Sequence, residues 1–223
     1  MIERYTRPEM GRLWSIENEW QTILNVEIAA CEAMAELGEI PAAAVENIRR
    51  TAKFDVARIN EIEKTTDHDI IAFLTNLEEN VGEDSKYIHK GLTSSDVKDT
   101  AYCIMMRDAA GLILTGLCKF REVLRRRADE FRHTPCIGRT HGIHAEPMTF
   151  GLKLLLWSAE IERDIERLTR AQEIVSVGKL SGAVGTYSNI DMRIEELTCK
   201  RLGLTPVRLA TQVIQRDRHA ELV

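Results

Sequence analysis

The chain has 223 residues, long enough to bury a core in one or two domains. Hydrophobic residues make up 44% and charged residues 29%, the balance of a soluble globular protein. A total of 30 Lys and Arg against 35 Asp and Glu leaves a formal charge of −5. That charge argues against a nucleic-acid binder, yet it leaves room for an anionic small molecule in a locally positive pocket.

The five cysteines, Cys31, Cys103, Cys118, Cys136 and Cys199, are odd in number and form no CxxC pair. Three of them fall in helical apolar patterns, so reduced, packed thiols in a cytoplasmic protein are expected. The opening MIERYTRPEM is charged from residue 3 and is no signal peptide. Continuous apolar runs fall short of a membrane span.

Helical periodicity dominates in chain order. It predicts a helix over 8–37, with Pro8 in the first turn and a stop at Gly38 followed by Pro41. Trp14, Trp20, Ile23, Leu24, Ile28, Cys31 and Met34 form its apolar stripe. Shorter helices are expected over 42–53 and 55–64, and another runs from near Asp67–Asp69 to Gly82. After Gly91, Thr93-Ser94-Ser95-Asp96 resembles a capping box, with Asp in place of the usual Glu. It opens a long helix over 96–132, whose REVLRRRADE run reads as a solvated face.

A loop over 134–146 carries His141 and His144, and a helix over 147–177 follows with Pro147 in its first turn. GKLSGAVGTYSN, at 178–189, reads as a loop, then a helix covers 191–202 and TQVIQRDRHAELV begins another. No strand-length segment alternates, so the expected fold is nearly all-α. The chain stops inside an apolar helical phrase, and it is expected to be the front part of a longer protein.

Three loops, TTDHD, HKGLTSSD and GRTHGIHAEP, hold His68, His89, His141 and His144. Long antiparallel helices bring distant loops to one end of a bundle, where such a site is expected to assemble. The histidines leave three readings open. They could ligate a metal together with Asp69, although no HExxH or cysteine set supports this. They could satisfy loop backbone groups, or they could move protons near neutral pH. LTSSD either caps a helix or offers hydroxyls and N–H groups to a carboxylate or phosphate. Arg4 and Tyr5 are either frayed or hold an anion. The glycine loop lacks the GxxxxGK[ST] spacing, so tight turns or close packing explain it better.

Six stretches carry a resemblance: MIERYTRPEM, EIEKTTDHDIIAFL, HKGLTSSDVKDTA, GRTHGIHAEPMTFGLKLLLW, GKLSGAVGTYSNID and TQVIQRDRHAE. In this order, and over nearly the whole chain, the sequence closely resembles the adenylosuccinate lyase family of the fumarase/aspartase superfamily. The resemblance implies an all-α fold, with a small helical N-terminal domain over 1–95 and an incomplete long-helix bundle domain over 96–223. It implies a homotetramer with each active site shared among three subunits, no cofactor or metal, and no nucleic-acid or membrane partner. The implied reaction is β-elimination of fumarate from adenylosuccinate and from the succinyl-carboxamide ribotide of purine synthesis.

By position, the resemblance makes His141 the general acid and His68 the histidine that assists it. Arg4 and Tyr5 match substrate contacts at phosphate or base, and Thr93 and Ser94 match contacts to the succinyl carboxylate. His89 and Thr140 line the pocket, Gln212 supplies a substrate-contacting amide, and His144 belongs to loop structure. Many relatives have a basic residue where this chain has Asp67, so its backbone rather than its side chain would meet phosphate beside Asp69. The catalytic serine loop of the family, resembling GSSAMPHKRNP, does not occur within the 223 residues. The chain alone is therefore expected to be inactive. Two rivals are another superfamily lyase, such as argininosuccinate lyase or fumarase, and a non-catalytic helical oligomerisation module.

Overall fold

The computed structural model describes residues 2–223. A 3-10 turn at Glu3–Tyr5 precedes α1 (Pro8–Leu13) and α2 (Ile16–Glu36). The helix expected over 8–37 is thus two helices. The Ser15 hydroxyl accepts the Asn18 N–H at 3.2 Å and starts α2 afresh, a local cap that outweighs continued periodicity. Then come α3 (Ala42–Thr51), α4 (Val56–Thr66) and α5 (Asp69–Val81). Asp55 caps α4, and a 3-10 turn at Gly82–Tyr87 follows α5.

The long helix α6 (Ser94–Glu130) leads into a hairpin, β1 (Pro135–Thr140) and β2 (Ile143–Thr149), and α7 (Phe150–Val175) returns along α6. β3 (Val177–Gly178), α8 (Met192–Leu202), β4 (Thr205–Pro206) and α9 (Asp217–Leu222) complete the chain. β3 and β4 pair in parallel.

The fold is nearly all helical, as expected, and the hairpin corrects only the expectation of a loop over 134–146. His141 at φ 52° and Gly142 at φ 73° make a two-residue turn between paired Thr140 and Ile143. Positive φ at both turn residues matches the twist of antiparallel strands. Pro147 lies in β2, opposite Ile137, rather than in the first turn of α7. Thr149 caps α7 instead, accepting the Leu152 N–H at 3.2 Å. The last helix likewise starts at Asp217 instead of near residue 211.

One buried cluster joins α2, α3, α4 and α5 to the start of α6 and to Leu180, Ile190 and Ile194. Trp20 stacks on Phe73 at its centre, with ring centroids 4.9 Å apart. Two smaller clusters pin α7 to α6, around Cys103, Met106 and Val175 and around Leu124, Ala128 and Leu154. Outside them, Leu112, Ile113, Phe120 and Val123 of α6 and Leu152, Leu155, Leu156 and Trp157 of α7 are exposed. Part of α6 is long and apolar enough to cross a membrane by length and composition alone, a test that the core helix of a soluble protein also passes.

Candidate active site

Six of the candidate residues, Asp67, His68, Asp69, His89, Thr93 and Ser94, lie around the start of α6. Asp67 ends α4 in the left-handed region at φ 48° and is exposed. That backbone reversal turns the chain straight into His68, the N-cap of α5. His68 Nδ1 accepts the Ile71 N–H at 3.3 Å. This contact leaves the ring proton on Nε2, which faces Ser94 Oγ at 3.4 Å. One imidazole therefore caps the start of one helix and touches the first residue of another.

Asp69 accepts the Ile70 N–H at 2.8 Å and pairs with Lys98, one turn into α6. Burial pushes its carboxyl up, but the Lys98 and Ile70 hydrogen bonds outweigh burial and hold it below the usual range. Thr93 caps α6, and its N–H donates to Asp96 at 2.9 Å, the capping box read from the sequence.

His89 sits behind this group in the left-handed region, at φ 61°. Glu27, only 1% exposed, meets its Nδ1 at 2.5 Å and accepts its backbone N–H at 3.0 Å. Burial alone would lower the imidazole pKa; the bond to Glu27 and the charges of Glu27 and Asp96 raise it overall. Glu27 thus favours the charged form of the His89 ring and fixes both its side chain and its backbone.

Thr140, His141 and His144 are elsewhere. They lie at the tip of the hairpin that follows the other end of α6, a helix about 55 Å long at 1.5 Å per residue with Ser94 at its start. All three are exposed, and His144 Nε2 approaches Arg139 at 3.3 Å. The expectation that all three loops gather at one end is corrected for a single chain. The 37-residue α6 has one histidine group at each end.

Arg4 and Tyr5 are in a third place. The neighbouring Arg7 borders a cavity with Leu112 and Phe120, far along α6. The Arg4 guanidinium lies 4.7 Å from the centroid of the Tyr5 ring, and Tyr5 is 73% exposed. Gln212 is exposed in a segment tied to the second turn of α6, where Asp99 accepts the Ile214 N–H at 2.8 Å and pairs with Arg216. A cavity of about 780 Å³ at the foot of the hairpin is lined by apolar residues such as Ile137, Met148 and Leu156 and holds none of the candidates. Among the described residues, no cluster of three or more His, Cys, Asp or Glu is arranged to hold a metal.

Sequence reasoning missed Glu27, Lys98 and Lys179. Glu27 did leave a signal. It falls in the core phase of α2, four residues after Ile23 and four before Cys31, where a carboxylate must find a buried partner. Lys98 and Lys179 left none, because their partners are remote in sequence.

The Lyase family profile matches residues 3–223. The chain is 55% identical to an adenylosuccinate lyase of Synechocystis sp. and covers 52% of that protein. It is 51% identical over 99% of its length to an adenylosuccinate lyase of Bacillus subtilis, covering 51% of it. The chain thus spans about half the length of the curated relatives it matches. Among solved structures, a fumarate lyase from Mesorhizobium sp. BNC1 superposes with a TM-score of 0.88 at 30% identity, over 96% of this chain and 52% of that one. A β-carboxy-cis,cis-muconate cycloisomerase from Acinetobacter calcoaceticus sp. ADP1 gives 0.89 at 28% identity, over 97% and 53%. With its whole helical framework and all but its first two residues matched, the chain belongs to the Lyase family.

Proposed function

We propose that this chain carries the acid side of an adenylosuccinate lyase. The enzyme would release fumarate from adenylosuccinate, leaving AMP, and from the succinyl-carboxamide ribotide, in cytoplasmic purine nucleotide synthesis. The observation that carries the reading is identity above one half with adenylosuccinate lyases of two organisms over essentially all of this chain. The lower identity to the fumarate lyase and the cycloisomerase favours this activity over theirs.

In the elimination, a base takes a proton from the carbon beside a carboxylate. The electron pair forms the C=C bond of fumarate, and the C–N bond breaks. His141 donates the proton that the leaving nitrogen takes up. Thr93 and Ser94 bind the succinyl carboxylate at the α6 start, where N–H groups and the helix dipole favour negative charge. His68 keeps Nδ1 on the α5 cap and turns Nε2 towards Ser94, where it assists His141, and Asp67 and Asp69 shape the turn that presents it. His89, Arg4, Tyr5, Thr140 and Gln212 complete the contacts to nucleotide and phosphate. The serine base would come from sequence outside these 223 residues.

The length of α6, about 55 Å from Ser94 to the end that leads into the His141 hairpin, supports a site built between copies, with the hairpin tip of one subunit reaching the α6 start of another. The unpartnered apolar faces of α6 and α7 support burial in a homotetrameric bundle. The test is fumarate release from adenylosuccinate by the chain alone, and by the chain co-expressed with the C-terminal half of the Bacillus subtilis relative. The expected outcome is no turnover alone and turnover in combination. Turnover by the chain alone, or turnover of argininosuccinate in place of adenylosuccinate, would overturn the reading.

A further inference from the structure

The GKLSGAVGTYSN loop has no role in the elimination described above, yet it wraps the start of α6. Lys179 is its anchor. The side chains of Lys179 and Asp96 are 1% and 0% exposed, and their charged atoms meet at 2.5 Å. Asp96 Oδ1 also accepts the Ser181 N–H at 3.2 Å, while Oδ2 accepts the Gly182 N–H at 3.1 Å and the Thr93 N–H at 2.9 Å. Lys179 Nζ donates in addition to the Gly182 carbonyl at 2.9 Å. The Lys179 N–H donates to Thr100 Oγ1 at 3.0 Å, and that hydroxyl donates back to the Lys179 carbonyl at 3.1 Å.

One buried carboxylate thereby joins the N-cap of α6 to the glycine loop. Ser94 lies between its two ends, with the cap at Thr93 before it and Asp96 two residues after. A buried ion pair is a poor way to gain stability, since an apolar pair of equal volume commonly does as well. What the pair supplies is direction. Its four donors come from fixed points on two segments, so the first turn of α6 has one orientation.

We infer that Lys179 and Asp96 form a positioning pair that sets the Thr93 and Ser94 hydroxyls for the substrate's carboxylate, while touching no substrate themselves. The inference rests on the lyase reading and deepens it. The pair acts on the fumarate end of the site and leaves the nucleotide end alone.

Product inhibition of the native full-length protein tests this, with fumarate and AMP as separate inhibitors. Wild type is assayed first; no fumarate release there sinks the lyase reading and this inference with it. With wild type active, Lys179→Met is expected to raise the fumarate inhibition constant about tenfold or more and to move that of AMP by less than about twofold. Amide exchange at residues 94–97 is expected to quicken while that of α7 stays unchanged. Lys179→Met leaves Asp96 buried without its cation, so Asp96→Asn with Lys179→Met is made as well. That double variant buries no lone charge, and its melting curve is checked before its kinetics. Equal weakening of both products would mark a merely structural pair and overturn the inference, as would unchanged fumarate inhibition in a folded variant.

Discussion

His68 Nε2 lies 3.4 Å from Ser94 Oγ, while Nδ1 of the same ring accepts the Ile71 N–H. The capping contact and the site contact therefore use different nitrogens and can be separated by substitution. Asn is a good N-cap acceptor but cannot reach where Nε2 reaches. His68→Asn is expected to keep the unfolding midpoint in urea, whereas His68→Ala loses about 1 kcal/mol with the cap. Both are expected to lose turnover in the assembled enzyme. Full turnover by His68→Asn would show that the Ser94 contact is idle.

The His89–Glu27 pair makes stability pH-dependent with a defined sign. The folded-state imidazole has a raised pKa, so its contribution is complete below the ordinary histidine value. It is lost as pH rises through the raised folded value. Urea unfolding of wild type and His89→Asn across pH 5 to 9 is expected to show the largest difference on the acid side, shrinking towards the alkaline side. A difference that grows with pH would contradict the pairing.

At the hairpin tip, chemistry and fold separate in the same way. His141 is exposed at φ 52°, and Asn accepts that backbone region. His141→Asn is expected to change stability by less than about 0.5 kcal/mol. In the assembled enzyme it is expected to slow fumarate release about 10²–10⁴-fold, as loss of a general acid does. An unaltered rate would return the tip histidine to loop structure.

Gly151 sets how closely α7 starts against the end of α6. A Cβ there would lie 2.4 Å from the Ala128 carbonyl oxygen and 2.7 Å from Arg132 Cα. Both are backbone atoms and cannot swing aside. Gly151→Ala is expected to cost about 1–3 kcal/mol through overpacking, read as a lower melting temperature. The hairpin leaves from this junction, so turnover of the assembled enzyme is expected to fall as well. A stable, fully active variant would show that the junction yields.

Much of this was legible in the chain. The helix start near Asp67–Asp69, the cap at Thr93 and the stop at Gly82 all rest on local chemistry within a few residues, and the helices fall close to where periodicity puts them. The hairpin was not read, although Thr140-His141-Gly142-Ile143 carried its signal in a positive-φ turn between β-branched residues. Its strands are too short and too exposed to alternate clearly between apolar and polar. Glu27 was legible only as a misplaced charge, and Lys179 was not legible at all, because its partner lies 83 residues away.

The sequence by itself determined the helices, their caps and the residues able to carry the chemistry, since caps and periodicity act over one or two turns. Which of those residues meet is decided only by the tertiary structure. α6 is stiff, and a helix of 37 residues keeps its ends about 55 Å apart however the loops are read. His68 and Ser94 therefore meet within one chain, while His141 follows the far end of the same helix.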